Sequence, residues 1–567
     1  MARLFSRTLR RLGAACSVLA PLAGLLAGGG LAQAQTSYSS GYWYGNASPV
    51  SVLTHHNDGW RTGWNYAETT LTPSNVAATG GSKLFGLQGS VDLDGLVEVQ
   101  PLVVPNAYVY GDPNAGRHDV VYVATANNTV YAIDPTTRKV LRSRNLGTPM
   151  SAFPGCEDND KIIGVNSTPV IDPSTNSLYL IAHVRVGSGF EMHLHRLSLS
   201  SLKDIVAPVT IAAKAPLTNG STATFDANYQ RQRTALLLAN GRVMAAFTSH
   251  CDIRADVARG WVMQWDAQTL DKARSYVDFS GRKSVFLTDT QATGPSNFFL
   301  ATSWMSGAGP AVDEWGNVYF ATGNTDPGAL RSDGTGYVED GVTNFGQSVV
   351  KLSPWDSRVL SYFTPANVMQ LDNDDLDLGA GGVLLVPSYT DRLALQAGKD
   401  GVLRLMNRDS LGGHTPGGPD KVLAATQIGP CWCTPSYFND GTPKVVSSGG
   451  TTLGVYAIRT KPYGLVKQAG VEINSGQFGG FFTSVSSNGA QNAIIWAVGR
   501  PQTIPGDLYL HAYSAKPVNG SLPLLYTTTA GTWNSQGNAN TVPTVANGRV
   551  YVAGYKKLSI YGLGGQR

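Results

Sequence analysis

The chain has 567 residues, 43 Lys and Arg against 39 Asp and Glu, and only 14% charged residues, with 65 Gly, 24 Tyr and 11 Trp. So even a balance, with no run of Lys or Arg and no basic aromatic stripe, excludes nucleic acid as a partner class. The Gly- and aromatic-rich composition, without a long stretch of apolar residues at three-and-four spacing beyond the N-terminus, excludes a helical fold and points to short strands and tight turns.

Residues 1–34 read as a secretory signal peptide. Arg3, Arg7, Arg10 and Arg11 precede an apolar run from Leu12 to Leu31, which ends at the small-x-small signal Ala32-Gln33-Ala34. Pro21 and the glycines of that run argue against a membrane anchor. Cleavage removes four Arg and no acid, so the mature chain is neutral. It is expected in the periplasm or outside the cell, as a monomer. Residues 35–82 form a flexible, Ser-, Gly- and Tyr-rich segment followed by a strap. In HHNDGWRTGWNY, Trp60, Arg61 and Trp64 read as packing over one face of the following domain, while His55, His56 and Asp58 are residue types that also bind metals.

From residue 83 to 567 the chain repeats itself. The clearest phrase, VVYVATANNTVYAID at 120–134, predicts two strands around the turn Asn127-Asn128. Weaker copies start near Leu178, Arg242, Asn317, Arg392, Lys444, Asn492 and Arg549, at intervals of 48 to 75 residues. A period of that size means an array. Each unit is too small to bury both faces of its own sheet, so neighbours must pack on one another, and radial closure protects the edges. The prediction is an all-β chain with a single β-propeller of eight blades, or seven, the copies at Lys444 and Asn492 being the least regular. The last copy stops short of a final strand, and KLFGLQGSV at 83–91 is expected to supply it, closing the ring between the N- and C-terminal segments.

The mature chain keeps Cys156, Cys251, Cys431 and Cys433, which suits two disulfides in an oxidising exterior. Cys431 and Cys433 are too close for an unstrained link within one strand, so pairs joining different loops are expected. No Cys-x-x-Cys-His is present, which excludes covalent c-type haem, and no Cys or His stands at zinc-finger spacing. His193 and His195 share one face of a predicted strand, as strand surface.

The repeat VVYVATANNTVYAIDPTTRKVL resembles that of the quinoprotein dehydrogenase superfamily, whose propellers hold pyrroloquinoline quinone (PQQ) and a calcium ion. The resemblance spans most of residues 83–564, and it implies a site. Glu98 in GLVEVQPLVV would hydrogen-bond the quinone. Asn324 in NVYFATGNTDPG would ligate calcium, and Asp375 or Asp377 in YFTPANVMQLDNDDLDLG would be the catalytic base. Lys399 in LQAGKDGVLRLMNRDSLGG would lie against the quinone oxygens, and Trp304 would offer the aromatic plane. Asp252 and Asp377 would complete the calcium set with Asn324. The chemistry asks for these types. A carboxylate takes the hydroxyl proton, a cation polarises the carbonyl that accepts hydride, and a hard cation needs carboxylate and amide oxygens.

The chain also departs from that pattern. Where the alcohol-oxidising branch has adjacent cysteines over the quinone, it reads Gly155-Cys156-Glu157-Asp158, and Ile162 and Ile163 stand where an arginine follows. The calcium-ligating Glu has no equivalent. With the cofactor cover and one cation ligand missing, the first expectation is a scaffold that binds a small molecule, a carbohydrate or a protein. The second is a PQQ- and calcium-dependent alcohol oxidoreductase. A third, a hydrolase or lyase acting on carbohydrate, rests on the paired acids Asp374 with Asp375 and Glu339 with Asp340. Convergence of Glu98, Asn324, Asp377 and Lys399 at the central channel would distinguish the second from the first.

Overall fold

The computed structural model describes residues 49–566 apart from 82–83, 112, 154–155, 157–160, 272–283, 327–337 and 389. The expected signal peptide and Gly155, Glu157 and Asp158 therefore lie outside the described residues. Among those described, the α-helices are two short ones, Pro73–Ala77 and Val368–Asn373, and the rest of the regular structure is almost all strand.

The predicted repeats coincide with a structural repeat. The phrases begin the strands Gly116–Ala124, Ser177–Val186, Arg242–Ser249, Val318–Ala321, Leu393–Gln396, Pro443–Gly449, Gln491–Gly499 and Arg549–Leu563, each the second of its antiparallel unit. In the first unit the order is Leu102–Val109, Gly116–Ala124, Thr129–Asp134, Lys139–Asn145, every strand pairing with its sequence neighbour. Asn128 takes the left-handed conformation (φ +62°) that the tight turn needs and that Asn tolerates.

Side chains alternate across each strand, and here both faces are buried. Leu178, Leu180 and Ala182 pack towards the first unit with Val121 and Val123, whereas Tyr179 and Ile181 pack towards the third with Leu236 and Phe247. The core is thus a series of sheet-to-sheet interfaces. Closure joins the two ends of the chain: Phe85–Leu96 pairs antiparallel with the end of Arg549–Leu563, from Phe85 opposite Leu563 to Asp92 opposite Lys557. The start of that same strand pairs with Thr544–Ala546. The terminal sheet edge, which would otherwise be open, is covered in this way.

Residues 50–68 thread the axis and bind unit after unit. Val52 exchanges backbone hydrogen bonds with Val103, and the carbonyls of Leu53, Gly59, Trp60, Thr62 and Gly63 accept from the N–H groups of Ile171, Val312, Leu385, Tyr437 and Val485. Asn65 Nδ2 donates to the Val545 carbonyl at 3.0 Å. At the centre the buried Arg61 guanidinium reaches the carbonyls of Pro310 (2.9 Å), His55 (2.9 Å) and Leu236 (3.2 Å) and the Thr54 hydroxyl (2.7 Å). His55 and His56 stack at 4.7 Å against the edge of Phe482. Burial lowers both histidine pKa values, that of His56 to about 3, so both rings are neutral. Asp58 is engaged by Thr62 through both its backbone N–H and its hydroxyl.

Two expectations need correction. Cys156 bonds Cys251, joining two loops, but Cys431 bonds Cys433. The second pair lies in irregular backbone rather than in a strand, which brings its Cα atoms to 5.1 Å, within ordinary disulfide reach. His195 is not surface: it is buried, with Nδ1 2.9 Å from Asp204.

Arg61→Ala leaves several buried carbonyls without their donor, at about 1–3 kcal/mol for each group left unpaired. The variant is expected to lose about 3 kcal/mol or more of unfolding free energy in urea titrations. A loss under about 1 kcal/mol would mean that water replaces the guanidinium in the channel.

Candidate functional site

One polar cluster is built where the fourth and fifth units meet. The strand Val318–Ala321 runs into Thr322-Gly323-Asn324, and the Asn324 N–H donates to Asp377 Oδ1 at 2.8 Å. A Cβ on Gly323 would lie 2.2 Å from that oxygen, so only glycine lets the two segments approach. Lys399, just past the strand Leu393–Gln396, donates its backbone N–H to the Asp377 carbonyl at 3.0 Å. Its ammonium lies 2.7 Å from Asp377 Oδ2 and 3.1 Å from Asp375 Oδ2. Asp377 is nearly covered and Asp375 is exposed, with side-chain exposures of 11% and 70%. Burial works against the charge on Lys399, and the two carboxylates override it, so its pKa is raised.

Asn324 has one orientation here. The Leu378 N–H donates to Gln347 Oε1 at 2.7 Å, which fixes the Gln347 amide group towards Asn324 Oδ1, also at 2.7 Å. Asn324 therefore turns its own NH2 to Asp375 Oδ1, at 2.6 Å. Asp252 faces the same cluster from the turn after the strand Arg242–Ser249, where Cys251 and Asp252 are left-handed (φ +46° and +55°) and Cys251 is bonded to Cys156. Ser249 Oγ donates to Asp252 Oδ1 at 2.5 Å. Burial, and after it the charge of Asp377, raises the Asp252 pKa to about 6.

A second cluster gathers around Glu98. Asn166 Nδ2 donates to Glu98 Oε2, Arg231 Nη2 lies 3.4 Å from the same oxygen, and Arg233 Nε lies 3.7 Å from Oε1. Arg233 Nη1 also donates to the Asn166 carbonyl at 2.8 Å. It passes Gly307 (φ +99°), where a Cβ would come within 2.3 Å of it. All three charged side chains are nearly dry, with exposures of 1% for Arg231, 5% for Arg233 and 6% for Glu98. Arg231 lies 5.6 Å over the Trp304 ring, and its Nε and Nη1 have no hydrogen-bond partner among the described residues. Trp304 itself lies between the clusters in sequence and in bonding. Two residues before it, the Thr302 carbonyl accepts from the Gly323 N–H at 2.9 Å, and two residues after it, Ser306 Oγ donates to the Ala380 carbonyl at 2.7 Å.

The expected residues thus fall into two adjoining groups. Asn324, Asp375, Asp377 and Lys399 meet directly and Asp252 faces them, while Glu98 and Trp304 meet through Arg231. The sequence reading missed Arg231, Arg233, Asn166 and Gln347. A signal was present: Arg231-Gln232-Arg233 abuts the buried run Ala235-Leu236-Leu237-Leu238, and two guanidiniums at the start of a core strand need a buried partner. Asn324 and Asp377 of the expected calcium set are in direct contact and Asp252 faces them, and no group of three or more His, Cys, Asp or Glu side chains is placed to hold a metal ion among the described residues. Asn324 presents NH2 rather than oxygen to the acids, and both oxygens of Asp377 already accept from donors. Of the paired acids of the carbohydrate reading, Glu339 faces Asp372, and burial raises both pKa values.

Because Asp252 holds its proton more tightly folded than at its ordinary value of 3.8, it stabilises the fold fully only below about pH 4. That contribution is lost as pH rises through about 6. Asp252→Asn is therefore expected to reduce the fall in unfolding free energy between pH 4 and pH 8 by on the order of 2–3 kcal/mol. Equal pH dependence in both proteins would show that burial does not raise the Asp252 pKa.

No protein-family model matches the chain, and no curated protein matches it in sequence. Solved structures do. The quinohemoprotein alcohol dehydrogenase from Comamonas testosteroni superposes with a TM-score of 0.62 at 15% identity, covering 95% of this chain and 84% of that one. The quinohemoprotein alcohol dehydrogenase ADHIIG from Pseudomonas putida HK5 gives 0.56 at 15% identity, over 91% and 81%. With the repeated sheets, the closed ring and the axial clusters, this chain has the β-propeller fold of the quinohemoprotein alcohol dehydrogenases.

Proposed function

We propose that the chain is an exported oxidoreductase that binds PQQ in its axial cleft and oxidises an alcohol. The observation that carries this reading is the Trp304–Arg231 stack, a flat plate under a buried guanidinium with two unpaired donor atoms. A planar polyanion supplies what that arrangement lacks, because its carboxylates would meet the free N–H groups and its rings would extend the stack. Arg233 and Lys399 add positive charge nearby. The shared fold with quinohemoprotein alcohol dehydrogenases supports the same reading, and the two disulfides suit an oxidising compartment.

When bound, a quinone supplies the two-electron acceptor for the alcohol's hydride. The chain's own work is to hold the ligand, exclude water and take the hydroxyl proton. We assign that proton to Asp252. Donors occupy both oxygens of Asp377 and of Asp375, whereas Ser249 occupies one oxygen of Asp252. A carboxylate with a pKa of about 6 is ionised at neutral pH and still basic enough to serve.

A second reading, a scaffold for a carbohydrate or protein partner, is favoured by the aromatic side chains beside Lys399. There Trp432 and the half-exposed Phe478 form an edge-on pair 4.7 Å apart, a surface on which sugars stack.

Titration of the purified chain with PQQ, followed by tryptophan fluorescence and dye-linked alcohol oxidation, tests the first reading. Saturable quenching is expected, weakened about tenfold or more in Arg231→Ala, the loss appropriate to hydrogen bonds with a charged group. No saturation by about 100 μM, far weaker than a buried cofactor site requires, would leave the scaffold.

A further inference from the structure

We propose that the Lys399 ammonium is the permanent cation of this site, standing where a divalent metal would otherwise be needed, so that the cleft binds its ligand without metal. The part that concerns ligand binding rests on the PQQ reading above; the part that concerns metal does not.

Lys399 Nζ bridges Asp377 Oδ2 and Asp375 Oδ2 at 2.7 and 3.1 Å, and the remaining carboxylate oxygens of that pair accept from the Asn324 N–H and NH2. Each of those four oxygens thus already accepts from one donor of the protein, whereas an ion of the calcium class takes six to eight oxygens to itself. Lys399 is also held from other directions. Its backbone is tied to the Asp377 carbonyl, and its ammonium lies 5.8 Å over the Trp432 ring.

Admitting a metal would require two changes. The ammonium would have to leave both carboxylates, and Asn324 would have to present its oxygen. The second is opposed by Gln347, whose amide is oriented by the Leu378 N–H and donates to that oxygen. Asp252 adds a third carboxyl facing the pair. One ammonium among Asp375, Asp377 and Asp252 therefore supplies the positive charge that a bound anion or a developing oxyanion meets.

The test begins with metal alone. The full purified chain, treated with EDTA, is titrated with calcium while its thermal midpoint is recorded, and with terbium while tryptophan-sensitised luminescence is recorded. The wild type is expected to show no saturable binding up to about 1 mM, the weak limit of protein calcium sites. Lys399→Ala, which leaves the carboxylates without their cation, is expected to gain calcium binding and a calcium-dependent rise in midpoint. PQQ quenching is then compared in EDTA and in calcium, and the apparent affinity is expected to agree within about twofold. Stoichiometric calcium binding by the wild type that Asp377→Asn abolishes would overturn the proposal. So would a tenfold or greater loss of PQQ affinity in EDTA. Failure of PQQ to bind under any condition would remove the quinone reading and leave the metal titrations to decide the role of Lys399.

Discussion

The interaction on which the rest of this molecule depends is the binding of residues 50–68 along the propeller axis, with Arg61 at its centre. A ring of sheets presents the inner edge of every unit to a central channel, and those N–H and C=O groups must find partners or water. Here the strap supplies them, one backbone bond after another around the ring, and Arg61 binds carbonyls that the strap's own backbone does not reach. A cation serves because its donors fan out in several directions from one point. The same contacts bring the neutral His55 and His56 to the axis, under the influence of Arg61 and Arg233.

The strap also sets the level at which the polar clusters lie. In four units the site residue precedes the strap-bonded residue by five to eight positions: Glu98 before Val103, Arg231 before Leu236, Trp304 before Val312, Asp377 before Leu385. Site and strap therefore occupy different levels of one axis. Successive units deliver different chemical types to the upper level, an acid, an amide, two guanidiniums, an indole, then acids and an ammonium. Their low exposure strengthens each interaction, and the same burial penalises any charge that lacks a partner. Arg231 Nε and Nη1 are charged donors left without a partner among the described residues, beside the likewise unpartnered ring nitrogens of His250.

Every charged group at this level has an opposite charge beside it: Arg231 and Arg233 face Glu98, and Lys399 faces Asp375 and Asp377. Two positive charges against one acid in the first cluster leave an excess that suits an anion. Three acids against one ammonium in the second leave a carboxyl, Asp252, whose pKa burial and Asp377 raise towards neutrality. Opposite imbalances side by side suit binding an anion at one and moving a proton at the other.

Strand identity, unit order and ring closure were legible in the sequence because they are local. Alternation within VVYVATANNTVYAID specifies a hairpin, recurrence specifies an array, and the truncated last copy specifies that KLFGLQGSV must complete it. Part of the candidate site came from the family resemblance: Asn324, Asp375, Asp377 and Lys399 follow motifs of the repeat, and the structure brings the four together. What only the tertiary structure decided depends on contacts between residues far apart in the chain. Arg231 meets Glu98 across 133 residues of sequence, and the orientation of Asn324 is settled by Gln347 and Leu378 from elsewhere in the ring. The Cys431–Cys433 bond depended on a backbone bend that the residue types alone do not specify. Pattern and period report what each segment does with its neighbours in sequence; which donor meets which acceptor at the axis is determined only once the sheets have closed around it.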